Sequence, residues 1–259
     1  MLEKDDLRDG FFNQLVKKYK KNKNVYFLYA DQGALSIRTL IDIDPKRCIN
    51  VNISEQNMIS MAAGLSMCGN IVYTYAISAF ITVKAIEQIK IDLVSQKLNV
   101  KIIGSGTGFC YSTDGPTHHV LEDISLMSSY SGIKIYTPSN AKIADIISRR
   151  VFRERGVSYI RLDKGVHDFN GLYSKINPKQ DFHILKKSKK KICIIGYGVT
   201  LKNIIENKKL QTIDATIIDL FCLSDDISKL INFIKNFKKI IIIEEAYENC
   251  SLASILALK

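Results

Sequence analysis

Short apolar runs alternate with stretches of helical periodicity along the first two thirds of the chain. Residues 7–19 carry apolar side chains at helical spacing, and the apolar run 25–29 follows directly. Such alternation predicts a mostly parallel, doubly wound α/β domain. Its further strands are predicted at 48–51, 71–75, 100–103, 133–136 and 158–162, with helices at 54–65, 79–96 and 141–153.

A second unit is predicted after a stretch that is rich in lysine, glycine, asparagine and proline and lacks periodicity. Strands at 192–195, 215–219 and 240–244, with helices at 201–208 and 227–237, predict a small βαβαβ unit. The predicted organisation is a first domain at 1–165, a linker at 166–190 and a smaller domain at 191–259.

Composition excludes several classes of protein. With 46% hydrophobic residues among 259, the chain can bury one large core or two modest ones. No apolar run approaches the roughly 20 residues that span a bilayer, and the charged start of the chain does not read as a signal peptide. We therefore expect a cytoplasmic protein that does not bind membranes. The net charge of +11 comes from lysine clusters without a nucleic-acid-binding motif, so we expect a solvated basic surface and no nucleic-acid partner.

Polar motifs occur where such a fold would place a site. Residues 30–33 (Ala-Asp-Gln-Gly) follow a predicted buried strand and would face a crevice at its carboxyl end. Residues 54–58 (Ser-Glu-Gln-Asn-Met) open a helix for which Ser54 is a good N-cap. Residues 114–118 (Asp-Gly-Pro-Thr-His) contain a tight turn that could present its aspartate and histidine to one cavity. Alone, Glu55 is an ordinary first-turn carboxylate.

The motifs at 54–58 and 114–118 together resemble the pyrimidine-binding domain of the transketolase family, over residues 8–164 and more weakly to the C-terminus. Residues 84–88 (Lys-Ala-Ile-Glu-Gln) also resemble the Arg-Ala-x-Asp/Glu-Gln helix of that family. The resemblance implies two doubly wound, mostly parallel-sheet domains. The first would be a thiamine pyrimidine-binding domain, and the second a shortened transketolase C-terminal domain.

The resemblance also implies thiamine diphosphate as cofactor. In the family, a carboxylic acid at the position of Glu55 hydrogen-bonds the aminopyrimidine ring, which then removes the cofactor's own C2 proton. The ring needs a flat apolar surface, for which Phe80 is the first candidate and Tyr75 the second. Either aromatic side chain could instead fill the core.

Substrate-binding residues follow from the same resemblance. Asp114 would accept a hydrogen bond from a sugar hydroxyl, and His118 would bind the substrate carbonyl or an adjacent hydroxyl and assist proton transfer. Arg8 and Arg161 match arginines that hold a sugar phosphate. Ser36 matches a phosphate-binding serine.

One motif of full-length family members is missing. Those proteins carry an earlier domain in which Gly-Asp-Gly and a downstream asparagine hold Mg²⁺ and the cofactor's phosphates, and these 259 residues contain no Gly-Asp-Gly. We therefore expect the C-terminal subunit of a split transketolase, which transfers a two-carbon ketol unit from a ketose or ketose phosphate to an aldose. A separate N-terminal subunit would supply the diphosphate and Mg²⁺ site, in a heterotetramer that self-associates.

Three alternatives remain open. A 1-deoxyxylulose-5-phosphate-synthase-like enzyme and the β-subunit of a 2-oxoacid dehydrogenase are built on the same scaffold, although Gly-Pro-Thr-His at 115–118 argues against the dehydrogenase. The glycine-rich residues 104–108 resemble both split and synthase-like relatives. A non-catalytic interaction subunit is the third, motivated by the short C-terminal domain. The presence of Glu55 and His118 favours a catalytic subunit.

Overall fold

The computed structural model describes residues 6–167, 169–173, 176–223 and 227–258. Residues 1–5 of the first predicted domain, residues 168 and 174–175 of the predicted linker, and residues 224–226 and 259 lie outside this description. The described elements are, in chain order, α1 (Leu7–Lys21), β1 (Val25–Tyr29), α2 (Leu35–Ile43), β2 (Cys48–Asn50), α3 (Glu55–Met67), β3 (Ile71–Ile77), α4 (Ile86–Gln88), β4 (Val100–Ser105), α5 (Asp123–Ser128), β5 (Lys134–Tyr136), α6 (Ala141–Arg153), β6 (Ser158–Leu162), β7 (Phe182–Lys186), β8 (Ile192–Gly196), α7 (Val199–Glu206), α8 (Lys208–Thr212), β9 (Thr216–Leu220), β10 (Cys222–Leu223), α9 (Ser228–Ile234), β11 (Lys239–Ile242) and α10 (Leu252–Ala257).

The first sheet has seven strands in the order β10-β5-β6-β4-β3-β1-β2, and all neighbours are parallel except β10 and β5. Every residue of the central strands β4 and β6 is buried, because helices cover both faces of the sheet. The chain passes from β1 to β2 on one side and from β3 to β4 on the other. This reversal creates a crevice outside the carboxyl ends of β1 and β3, where open α/β sheets bind ligands.

The second sheet has the order β11-β8-β9-β7, with β7 antiparallel to β9. The predicted α/β class, with two mostly parallel sheets, is confirmed. The range 166–190, predicted as a linker, nevertheless contains β7. This edge strand is only partly buried at all five positions. Its sequence, Phe-His-Ile-Leu-Lys, shows neither a continuous apolar run nor a strict alternation of apolar and polar residues, so the sequence predicts no strand there. Although β10 follows β9 of the second sheet in the chain, it pairs with β5 and forms an edge strand of the first sheet.

The range 79–96, predicted as one long helix, is divided. A π-helical segment, Phe80–Lys84, precedes α4, and a second π-helical segment, Ile89–Val94, follows it. The buried hydroxyl of Thr82 donates to the Ser78 carbonyl over 2.7 Å. π-Turns widen a helix locally and often accompany functional sites.

No helix in the described ranges combines the length and the apolar character that crossing a bilayer requires.

Candidate active site

A cavity of about 380 Å³ lies at the crevice between β1 and β3. Its wall includes residues 30–33, which directly follow β1. It also includes Glu55, from the helix before β3 in the chain, and Phe80, from the π-helical segment after β3. Arg8 and Lys164 complete its polar rim. The polar residues 30–33 therefore face a crevice, as their position after a buried strand predicts.

Glu55 is the first residue of α3 and is only 2% exposed. Its Oε2 accepts a hydrogen bond from Lys84 Nζ over 2.7 Å, while the lysine side chain is 44% exposed. The start of a helix also favours negative charge. The site thus holds a buried carboxylate whose cationic partner, Lys84, reaches it from the solvent side.

Ser54 occupies the N-cap position of α3, but its side chain does not cap the helix. Its hydroxyl donates instead to the Val51 carbonyl over 2.5 Å. The predicted position of the cap was right and its predicted role was wrong. This hydrogen bond fixes the turn that delivers Glu55 to the cavity.

An aromatic group connects Phe80 with the predicted substrate turn. The Phe80 and His118 rings meet edge to face, with centroids 5.1 Å apart, and Tyr111 lies 6.2 Å from the same histidine. The Tyr111 hydroxyl accepts a hydrogen bond from Gln32 Nε2 over 3.0 Å. Gln32 lines the cavity, so His118 lies close to the cavity rim.

The turn itself consists of two short 3₁₀ segments, Ser112–Asp114 and Pro116–His118, joined by Gly115. Gly115 has φ of +87°, a conformation that favours glycine. Asp114 is exposed on the first segment, whereas His118 is half-buried on the second and its Nδ1 lies 3.0 Å from Thr117 Oγ1. The tight turn is present, but neither Asp114 nor His118 is among the residues that line this cavity. His118 is the member of the turn that reaches the Phe80 ring.

Arg8, in the first turn of α1, lines the cavity and pairs with Asp6 over 3.3 Å. Tyr75 does not lie on the cavity wall. It is fully buried in the core, 5.3 Å from the Phe12 ring and 6.2 Å from the Phe27 ring, and burial raises the pKa of its hydroxyl. The prediction of Tyr75 as a cofactor-stacking residue is therefore not supported, because β3 directs this ring into the core.

Arg161 and Ser36 also lie away from the cavity lining. The buried Arg161 guanidinium donates to Asp123 Oδ2 over 2.7 Å, and the Tyr159 hydroxyl donates to the same oxygen at the same distance. Ser36 is buried in the first turn of α2. Neither side chain is among the residues that line this cavity, and Arg161 lines a separate small cleft together with Gly108 and Glu245. Their phosphate contacts therefore stay predictions.

Sequence reasoning assigned no role to several residues that line the cavity or contact its lining. Lys84 entered only as part of a family helix motif, although it pairs with Glu55. Lys164 Nζ lies 4.1 Å from the Tyr111 ring centroid. Asp31 has φ of +44°, and its N–H donates to Asn50 Oδ1 over 3.1 Å. For Asp31 and Lys164, the position in the sequence could have indicated a site, because they lie just beyond the carboxyl ends of β1 and β6.

Among the described residues, no His, Cys, Asp and Glu side chains form a group of three that could hold a metal ion.

The fold and the cavity have counterparts in a known class of enzymes. The family described as "Transketolase, pyrimidine binding domain" matches residues 2–167, and "Transketolase, C-terminal domain" matches residues 182–258. The chain therefore belongs to the transketolase family, as the sequence motifs predicted.

Two relatives of this chain are described as subunits of transketolases. The chain is 31% identical over 263 residues to one subunit of the apulose-4-phosphate transketolase of Actinobacillus succinogenes, a match that covers 99% of this chain and 84% of that protein. It is 32% identical over 162 residues to the 6-deoxy-6-sulfo-D-fructose transketolase subunit SqwH of Clostridium sp. (strain MSTE9), covering 62% of this chain and 50% of that protein. This chain thus matches most of the first relative and half of the second.

Two solved structures share the fold. A structure described as a split gene transketolase, inactive beta4 tetramer, gives a TM-score of 0.81 at 24% identity, covering 98% of this chain and 84% of that one. Transketolase from Campylobacter jejuni gives a TM-score of 0.70 at 16% identity, covering 97% of this chain and 45% of that one.

Proposed function

We propose that this chain is the C-terminal subunit of a split transketolase, which moves a two-carbon ketol unit from a ketose or ketose phosphate to an aldose acceptor. The observation that carries the proposal is the buried Glu55 carboxylate in a cavity at the sheet's switch point, with Phe80 on the same wall. The names of the two relatives, each a subunit of a transketolase, support it.

The residues present fit the pyrimidine half of thiamine diphosphate. A ring that carries nitrogen atoms and an amino group needs a carboxyl partner and an apolar face, and the cavity offers Glu55 and Phe80. When bound, the cofactor supplies the carbon nucleophile that cleaves and forms the ketose carbon–carbon bond. In this proposal Glu55 holds the ring nitrogen, and Phe80 supports the ring and excludes water from one side.

Lys84 has a defined part in this arrangement. Its ammonium group holds Glu55 Oε2, and its long, partly exposed side chain can withdraw from the carboxylate when a ring occupies the cavity. Without a cationic partner, an ionised carboxylate at this depth is strongly unfavourable. We propose that Lys84 keeps Glu55 oriented until the cofactor arrives.

For the substrate, His118 would donate to or accept from the carbonyl or the adjacent hydroxyl, since its ring stands beside Phe80. Asp114 is exposed on the same turn and would accept from a hydroxyl further along the sugar. Arg8 is the cavity arginine that would pair with a phosphate. Tyr75, Arg161 and Ser36 are structural in this proposal.

The remaining half of the cofactor site is proposed to come from an N-terminal transketolase subunit. That partner would hold the diphosphate and Mg²⁺, and the relatives that are named as subunits of transketolases support a separate partner. The proposed assembly is a heterotetramer, in which this subunit also self-associates, located in the cytoplasm.

The test is the ketol-transfer rate of the reconstituted complex with Glu55→Gln. Glutamine keeps the size of the side chain but does not carry the carboxyl proton, so we expect the rate to fall by about 10²-fold or more. The matched control is Glu206→Gln, because the Glu206 side chain is 62% exposed on α7, outside the cavity lining.

An unchanged rate with Glu55→Gln would overturn the proposed role of this residue. Turnover of pyruvate with release of carbon dioxide, in place of ketol transfer, would replace the transketolase assignment with a synthase or 2-oxoacid dehydrogenase activity.

A further inference from the structure

The loop 109–119, which carries Asp114 and His118, is closed at its base by one residue pair. Gly108 and Val120 exchange two backbone hydrogen bonds, each 3.1 Å long. Within the loop, Tyr111 accepts a hydrogen bond from Gln32. The contacts that hold Gly108 and its neighbours are a second influence on the position of His118 relative to Phe80.

The pyrimidine-binding domain holds one side of the base. The Leu162 carbonyl accepts from Gly106 N–H over 3.1 Å. Asp163 Oδ1 accepts from both the N–H and the hydroxyl of Thr107, over 2.9 and 2.5 Å. These contacts fix the start of the loop to the end of β6.

The C-terminal domain holds the other side. Glu245 Oε2 accepts from Phe109 N–H over 3.0 Å, a contact between residues 136 positions apart in sequence. On the opposite arm of the loop, Tyr247 N–H donates to the Leu121 carbonyl over 3.4 Å. The approach is close enough that a Cβ atom on Gly108 would lie 2.0 Å from Glu245 Oε2.

The segment that carries Glu245 is itself anchored. The preceding residue, Glu244, accepts from the Tyr197 hydroxyl over 2.8 Å and from the Leu252 and Ala253 N–H groups at the start of α10, over 2.7 and 3.0 Å. The Tyr197 ring in turn lies 5.5 Å from the Arg161 guanidinium. Glu245 is therefore presented to the loop from a fixed support.

We propose that Glu245 is a positioning residue, through which the C-terminal domain holds the substrate loop so that His118 stays beside Phe80. This inference rests on the proposed function, in which His118 contacts the substrate. It gives the C-terminal domain a specific task in the active site.

The test compares Glu245→Ala, Glu245→Gln and the control Glu248→Ala in the reconstituted complex. Glutamine retains a side-chain oxygen that can accept from Phe109 N–H, so it should behave nearly as wild type. Glu248 is exposed three residues further on, and only its backbone carbonyl makes hydrogen bonds among the described contacts.

The first readout is hydrogen exchange of the amides in loop 109–119, which does not depend on activity. Glu245→Ala should exchange faster there, by roughly tenfold, because one hydrogen bond to a charged acceptor is lost. The second readout is kinetic. The kcat/KM for the ketose should fall by a similar factor with little change in the affinity for thiamine diphosphate.

Unchanged loop exchange in Glu245→Ala, or equal effects of Glu245→Ala and Glu248→Ala, would overturn the proposal. Faster loop exchange in a complex whose wild type performs no ketol transfer would support the positioning by Glu245 and contradict the proposed function. The two proposals therefore fail separately.

Discussion

Asp219, on β9, is a buried carboxyl group whose ionisation shapes how stability depends on pH. Its Oδ2 accepts from the Ser139 hydroxyl over 2.6 Å and from the Tyr173 hydroxyl over 2.7 Å. Its Oδ1 is buried and has no hydrogen-bond partner in the part of the chain that the structure describes. Burial raises the pKa of Asp219 from 3.8 to about 7, although the two hydroxyl groups act to lower it.

The size of the effect follows from this difference. In the unfolded chain Asp219 loses its proton near pH 4, whereas in the folded protein it keeps it to about pH 7. Between these values the folded state binds more protons, so its stability falls as pH rises. At 1.36 kcal/mol for each pKa unit, the loss from this group reaches about 4 kcal/mol by pH 8.

The perturbation is Asp219→Asn, which has nearly the same shape and carries no charge at any of these pH values. The amide oxygen can still accept from the Ser139 and Tyr173 hydroxyls. The free energy of unfolding of the variant should therefore fall much less than that of wild type as pH rises from 4 to 7. At pH 8 the variant should be more stable relative to wild type than it is at low pH.

The assay is urea unfolding at pH 5, 6, 7 and 8, with the free energy of unfolding taken by linear extrapolation. Asp214→Asn is the control, because Asp214 lies exposed just before β9. If Asp219→Asn and wild type lose stability in parallel as pH rises, the reasoning about this buried carboxyl is refuted.

Three further predictions concern single side chains and the turn glycines. Arg161→Met leaves the Asp123 carboxylate buried without its cation, so urea unfolding should show that the free energy of unfolding falls by about 3–5 kcal/mol. The control Arg149→Met breaks an exposed ion pair on α6 and should lower it by at most about 1 kcal/mol. Equal losses in the two variants would contradict this prediction. Both glycines have positive φ, and for Gly115→Ala the strained backbone costs about 1–3 kcal/mol. Gly108→Ala should destabilise the protein more, because of the two only Gly108 would bring its Cβ atom against a neighbouring side chain; thermal unfolding of both variants checks the order. His118→Ala should lower kcat/KM of the complex by about 10²–10⁴-fold at an unchanged melting temperature, and a rate near wild type would remove His118 from the site.

Much of the first sheet could be predicted because its strands are buried on both faces. The predicted bounds of α6 and β6, 141–153 and 158–162, agree with the structure. In contrast, β10 has two residues, and it is a strand only because β5 offers a free edge. Such pairing depends on tertiary contacts that no local pattern records.

The candidate site could likewise be predicted only in part. The position of residues 30–33 after a buried strand indicated that they face a crevice, and the structure adds Glu55 to the lining of the same cavity. Residue type alone could not give the direction of a side chain. Tyr75 and Arg161 have suitable chemistry, but the strands that carry them direct one ring into the core and pair one guanidinium with Asp123.

The measurement that tests the central claim most directly is ketol transfer by the purified chain, with and without a diphosphate-binding partner subunit. With thiamine diphosphate and Mg²⁺ present in both cases, we expect no turnover by the chain alone and clear turnover once the partner is added. Ketol transfer by this single polypeptide would contradict the account, as would a complex with the partner that stays inactive.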